Sequence, residues 1–278
     1  MQKLCVVDVG AANGDFSNFL LSNIQDIQIH AVEPNISINS DSLNLLKDFY
    51  DDKFIVHPYA LAEESGVREF YGSSQINGQI GSLRKFNVEK KWNRYLDENL
   101  DKNELTVAKL IQVKSVSDFL TENKLNRIDF LKIDAQGYDV SLLNEFLKFC
   151  KVSCMVLEVN TTSRKSENIY ESNNNLDSLI PIICKNELKV IKIVPHYDLS
   201  ELNIFLAYDF QIGEKIVSNL NLQECPTFSR YWNVIIKDSK TSLLQMEVGI
   251  LFKKMFSLLF HPIKGIKKIS SYYFNELS

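Results

Sequence analysis

Three short segments combine residue types and spacings that do chemistry. The first is VVDVGAANGDFS, residues 6–17. An apolar run ends in Asp8, and Gly10, Ala11, Ala12, Asn13 and Gly14 follow before a helical pattern begins. Small residues let a backbone approach a ligand closely, and the helix N-terminus beyond them favours negative charge. The second is Glu33-Pro34-Asn35, which closes the next apolar run. A carboxylate about 20 residues after such a turn accepts hydrogen bonds from both hydroxyls of a ribose. The third is FLKIDAQGYDVSLL, residues 130–143. Asp134 ends its apolar run and Gly137 permits a tight turn into a helix. Asp134 either caps that helix, faces a ligand, or does both.

The first two segments also have the spacing of an NAD site. The fingerprint G-x-G-x-x-G, however, needs glycine where Asp15 stands. Asp8 and Asp15 would crowd a pyrophosphate with carboxylates. They suit a phosphate-free ligand with a cationic head, namely S-adenosylmethionine.

The elements that must position these segments alternate. Leu4–Val9, Ile27–Val32, Phe54–His57 running on into Tyr59–Leu61, Ile128–Ile133 and Met155–Val159 read as buried strands, with helical patterns between them. This beat predicts a doubly wound parallel sheet. Ser117 reads as the N-cap of a helix over DFLTEN. Leu188–Val194 and Asn203–Tyr208 are separated by only eight residues, PHYDLSEL. That gap is too short for a helical crossover, so these two strands must be antiparallel. Residues 72–112 break the beat and read as an insertion that could cover a site. Thr161–Asn175 is polar and Asn-rich, which reads as a loop.

Residues 5–209 resemble the FkbM family of S-adenosylmethionine-dependent methyltransferases. The resemblance is carried by VVDVGAANGDFS, HAVEPN, YALAEESGVREFY, GSL at 81–83, SVSDFL, IDFLKIDAQGYDVSLL and MVLEV. It implies a class I methyltransferase (Rossmann-like) α/β fold with a sheet of seven strands, the last antiparallel. It also implies that Asp8, Gly10, Ala11, Asn13 and Gly14 line the methionine side of the cofactor. Glu33 would hold the ribose, Pro34 and Asn35 would lie beside the adenosine, and Ala60 and Leu61 would flank the adenine. Asp134 would sit near both cofactor and acceptor, and the acceptor would be a hydroxyl of a sugar or glycan. Two positions depart from the family's usual pattern: Ala12-Asn13 stands as if shifted by one residue, and the usual Gly-x-Glu reads Gly137-Tyr138-Asp139.

A sugar hydroxyl is a poor nucleophile at neutral pH, so a proton acceptor is expected. Asp134, Glu158, Asp139 and His196 are the candidates at the carboxyl edge of the sheet. Asp134 and Glu158 end adjacent strands, and such a pair is also a binding place for Mg²⁺. A third dedicated ligand is not evident, so metal use is the less favoured expectation. His57 lies in a strand and reads as packed.

Composition limits the partners. The net charge is −4, which disfavours general nucleic-acid binding. Five cysteines without a C-x-x-C pair point to free thiols and a reducing, cytoplasmic compartment. The N-terminal residues run straight into a strand and read as lacking a signal peptide. The domain is expected at 1–210, with an extension at 211–278. Residues 251–278 carry five lysines against one acid, Glu276, among Phe, Leu, Ile and Tyr. Such a basic amphipathic tail suits the anionic inner face of a membrane, or packing on the body or a second subunit as a homodimer. A non-catalytic scaffold that retains the fold is the alternative to an enzyme.

Overall fold

The computed structural model describes residues 3–72, 81–87, 108–161, 170–171, 173–195 and 201–233. Most of the 72–112 insertion, His196 and the basic tail lie outside the described residues.

The chain runs β1 (Leu4–Val9), α1 (Asp15–Asn23), β2 (Ile27–Val32), α2 (Ile36–Tyr50), β3 (Phe54–His57), β4 (Ala60–Ala62), β5 (Gly66–Tyr71) and β6 (Ala108–Ser115). It continues through α3 (Val116–Glu122), β7 (Arg127–Ile133), α4 (Asp139–Phe149), β8 (Lys151–Asn160), α5 (Leu176–Lys185), β9 (Lys189–Pro195), β10 (Glu201–Ala207), α6 (Phe210–Asn219) and α7 (Pro226–Ser229). A seven-stranded sheet has the order β3-β2-β1-β7-β8-β10-β9. β10 is antiparallel to both β8 and β9, as the short hairpin connection requires, and the remaining pairings are parallel. This is the expected Rossmann-like methyltransferase sheet, with the last strand inserted antiparallel.

Alternation along the strands builds two cores. Val7, Val9, Leu131, Ile133, Met155 and Leu157 face α3, α4 and α5. Val6, Ile29, Phe130, Val156 and Phe205 face the other way, toward α1, α6 and α7. Residues 211–232, read from sequence as the start of an extension, join this second core through Val217, Leu220, Cys225 and Phe228, with Trp232 packed against it.

The sequence reading of β3 as continuing into Tyr59–Leu61 does not hold. The chain turns at Pro58, where the Tyr59 N–H reaches back to the His57 carbonyl at 3.0 Å. Proline has no N–H to extend a ladder. β4 leaves the large sheet and joins a three-stranded sheet of order β4-β6-β5. The helix cap also shifts by two residues. Ser115, not Ser117, accepts the Asp118 N–H at 3.0 Å, so α3 begins at Val116.

His57 is packed, as expected, but it is packed against a second histidine. His30 Nδ1 and His57 Nε2 are 3.0 Å apart, with the rings stacked and Phe119 edge-on to both. Burial pushes each histidine down to about 4, and for His57 the neighbouring His30 and Lys114 push in the same direction. The folded protein therefore holds both rings neutral, whereas the unfolded chain protonates them below about pH 6.5. Stability supplied by the neutral pair is present above that pH and is lost as pH falls from about 6.5 toward 4. A single histidine shifted this far is worth at most about 3 kcal/mol, and a coupled pair less than twice that. Urea titrations at pH 7 and pH 5 are expected to show a fall in stability that is smaller in the double variant His30→Phe/His57→Phe. Equal falls in the two proteins would remove this role.

Candidate active site

The sheet changes direction of winding between β1 and β7, and open α/β sheets bind ligands at such a point. The ends of the two strands are pressed together there: the Asp134 N–H bonds the Val9 carbonyl at 2.9 Å. A cleft opens above them, at the place where such sheets take a small-molecule ligand. Its lining draws Gly10, Val32, Glu33, Pro34, Ala60 and Leu61 together with Ser82, Leu83, Asp134, Ala135 and Tyr138, with Phe70 and Leu142 also contributing.

Glu33 is held with its carboxylate fixed in space. It is 5% exposed, and its oxygens accept the Ala12 N–H at 2.8 Å and the Asn35 N–H at 2.7 Å. Burial raises its pKa, and the two backbone N–H groups oppose that rise. Each oxygen retains a lone pair for a ligand hydroxyl. Ala12 pays backbone strain for this contact. Its φ of 48° is left-handed, which costs an alanine about 1–2 kcal/mol and suits asparagine better.

Asp8 departs from its expected place. It was read as a carboxylate facing a cationic ligand, but it is fully buried and lies beneath the cleft. Ser17 Oγ donates to it at 2.8 Å and Lys132 Nζ at 3.0 Å. Asp8 and Lys132 are register partners on neighbouring strands, which is why they meet. Lys132 also donates to the Gly10 carbonyl at 3.3 Å and lies 3.6 Å from Asp134. Burial alone would lower the Lys132 pKa, but Asp8 and Asp134 outweigh it, and the net shift is upward. The lysine stays charged.

Other expected residues also fall outside the cleft lining. Gly14 turns its α-carbon toward α2, where an added Cβ would meet Leu46 Cδ1 at 2.5 Å. Asn13 pairs with Asp15 at the exposed start of α1. Ala11 packs into the core, and Asn35 contributes its N–H to Glu33. Asn13, Asp15 and Asn35 thus shape the turn rather than the cavity surface. Gly10, Glu33, Pro34, Ala60, Leu61 and Asp134 do line it.

Asp134 is the acid that faces the opening, with its side chain 33% exposed and Gln136 Nε2 donating to it at 2.8 Å. Glu158 follows Leu157, the register partner of Ile133, so it lies beside Asp134, but it does not end its strand as expected, because β8 pairs with β10 as far as Asn160. It is half-buried and does not line the cleft. Asp139 is buried and accepts the N–H groups of Ala135 and Gly137 at 3.2 and 3.1 Å, and Asn174 Nδ2 at 3.2 Å. Burial, then Asp134 and Glu158, push its pKa well up. Its geometry makes it the tie of the 134–139 loop.

Four features of the site were missed from sequence. Lys132 was quoted inside a motif without a role. Tyr138 and the 81–83 segment form a wall of the cleft. Asn174, read as part of a polar loop, is buried and bonds the Glu158 carbonyl at 2.9 Å as well as the Val140 N–H at 2.9 Å. The signal available for Asn174 was its position just before a helix. Among the described residues no three His, Cys, Asp or Glu side chains come together as a metal site.

Residues 8–214 match the Methyltransferase FkbM domain. Comparison with curated proteins finds no match. Among solved structures, the chain is similar to Aeropyrum pernix fibrillarin with natively bound S-adenosylmethionine, at 12% identity and TM-score 0.39, covering 74% of this chain and 67% of that one. It is also similar to a protein of the NADB-Rossmann superfamily from Streptococcus agalactiae, at 15% identity and TM-score 0.38, covering 96% and 85%. A third is precorrin-6y C5,15-methyltransferase from Geobacter metallireducens, at 14% identity and TM-score 0.32, covering 75% and 82%. The matched domain runs from the end of β1 into α6 and contains every residue of the cleft, and this chain belongs to the FkbM methyltransferase family.

Proposed function

We propose that the protein is an O-methyltransferase that acts on a hydroxyl of a sugar or glycan. The observation that carries this reading is the pairing of a fixed, buried Glu33 carboxylate with an accessible Asp134 across one cleft at the β1/β7 edge. The residues present fit the cofactor. Glu33 offers acceptors to two ribose hydroxyls, Ala60 and Leu61 offer an apolar wall for an adenine, and Pro34 borders them. When bound, the cofactor supplies an electrophilic methyl group on a sulfonium. The protein's task is then alignment and proton removal. Asp134 is positioned to accept the hydroxyl proton, and Lys132 and Gln136 orient its carboxylate. Leu83, Tyr138 and Leu142 line the same space.

Calorimetric titration with S-adenosylmethionine, with NAD as control, tests the cofactor half of this reading. Glu33→Gln keeps the shape and one acceptor oxygen, and is expected to weaken binding at least tenfold, since a polar contact to a charged group is worth about 1.5–3 kcal/mol. Glu33→Ala is expected to weaken it further. Unchanged affinity in both variants, with both still folded by thermal melt, would remove Glu33 from the site. Methyl transfer to a panel of sugars, scored by mass, tests the acceptor half.

A further inference from the structure

Among the described residues, two arginines, Arg68 and Arg84, lie against Tyr138 in the cleft wall, and Glu63 is the carboxylate that reaches them. The Arg84 guanidinium lies 4.4 Å from the centre of the Tyr138 ring. Arg68 Nη1 donates to the hydroxyl of the same tyrosine at 3.2 Å and pairs with Glu63 at 3.5 Å. Glu63 also accepts the Tyr138 O–H. One carboxylate thus bonds Tyr138 and pairs with Arg68, and only its longer-range attraction reaches Arg84. Among the described residues, Arg84 has no ion pair and its guanidinium makes no hydrogen bond, and Nε is buried without a partner.

Arg84 is placed, not loose. Its N–H bonds Ser82 Oγ at 2.9 Å, and Ser82 Oγ donates to the Gln136 carbonyl at 2.6 Å. Ser82 also exchanges two backbone hydrogen bonds with Tyr71, both 2.8 Å. The arginine is therefore fastened to β5 and to the loop that follows Asp134. Ser82, Leu83 and Tyr138, its immediate neighbours, all line the cleft. A planar cation stacked on an aromatic ring keeps its N–H edge available, and that edge matches carboxylate and phosphate oxygens.

We propose that Arg84, supported by Tyr138, receives an anionic group of the acceptor, a carboxylate or phosphate, so that the substrate is an acidic rather than a neutral sugar. This rests on the sugar O-methyltransferase reading for the sugar, though not for the anion. The same chemistry is offered by the methionine carboxylate of the cofactor, and the experiment separates the two sources.

Binding of five probes is measured by calorimetry on the full chain: S-adenosylmethionine, glucose, glucuronate, glucose 6-phosphate and glycerol 3-phosphate. The last four are titrated with S-adenosylhomocysteine present. Wild type is expected to bind glucuronate or glucose 6-phosphate at least tenfold more tightly than glucose. Arg84→Met is expected to lose that preference and keep its affinity for S-adenosylmethionine. Arg84→Lys is expected to recover part of it, which a merely structural role would not produce. Loss of S-adenosylmethionine affinity in Arg84→Met would assign the arginine to the cofactor and overturn the proposal. Equal binding of glucose and the acidic sugars would also overturn it while leaving the sugar reading intact. Arg84-dependent binding of glycerol 3-phosphate with no sugar bound in either form would keep the anion site and sink the sugar reading instead. No anion binding in wild type would overturn the site outright.

Discussion

Lys132→Met is expected to destabilise the fold by about 3–5 kcal/mol, the usual cost of leaving one partner of a buried ion pair behind. Asp8 is fully buried and Lys132 is 6% exposed, so neither charge reaches water. Methionine fills a similar volume, which leaves Asp8 with the Ser17 hydroxyl as donor and an uncompensated charge in the core. The Gly10 carbonyl and Asp134 lose the same ammonium. Chemical denaturation reads the loss. The double variant Asp8→Asn/Lys132→Met removes both charges, and it is expected to be more stable than Lys132→Met alone, because an ion pair replaced whole often costs little. A single variant that unfolds at the wild-type denaturant concentration would show that the pair contributes nothing. A double variant no better than the single one would place the loss in packing around Phe16, whose ring lies 5.6 Å from the ammonium.

This pair also marks where sequence reading stops. The turn after β1, the acid after β2 and the acid after β7 are local signals, each written within a few residues of a strand end. They were legible, and Gly10, Glu33 and Asp134 do line one cleft. Asp8 carried the same kind of local signal and was misplaced. Strand alternation turns it away from the opening, and its partner Lys132 lies on a neighbouring strand 124 residues on. A pairing that distant has no trace in spacing. Tyr138 and Ser82 were unreadable as walls for the same reason, since a side chain's neighbour across a cleft comes from another part of the chain. Asn174 failed differently. Its surroundings are polar and Asn-rich, which by composition means solvent, yet the amide is buried and joins the Asp139 loop to β8. Composition reports where residues of that type usually go, and a buried amide is an exception made by its partners.

The overall sheet was legible because its signals repeat. Apolar runs ending at small or acidic residues recur through β1, β2, β7 and β8, and the eight-residue hairpin left only one orientation for β9 and β10. The exit of β4 to a second sheet was not, because Ala60–Ala62 is apolar and buried in either arrangement. Only the missing N–H of Pro58 distinguishes them.

Gly10→Ala is expected to abolish measurable S-adenosylmethionine binding and to destabilise the fold by more than Gly14→Ala does. Both glycines have left-handed backbones, with φ of 77° and 84°. Alanine in that region costs about 1–2 kcal/mol at either position. What differs is the neighbour. A Cβ on Gly14 would meet the Leu46 and Leu43 side chains, which can rotate. A Cβ on Gly10 would stand 1.9 Å from the Asp134 carbonyl oxygen and 2.9 Å from its carbon, which are backbone. That contact is impossible without separating the ends of β1 and β7. Separation breaks the bond from the Asp134 N–H to the Val9 carbonyl and moves Asp134 relative to Glu33, which hangs from Ala12 two residues beyond Gly10. Cofactor affinity by calorimetry and unfolding by urea are measured on both variants. Gly14→Ala should lose stability and retain binding, because its strain is taken up against α2 and not at the cleft. If the two variants bind the cofactor equally well, the approach of Gly10 to Asp134 does not set the geometry of the site.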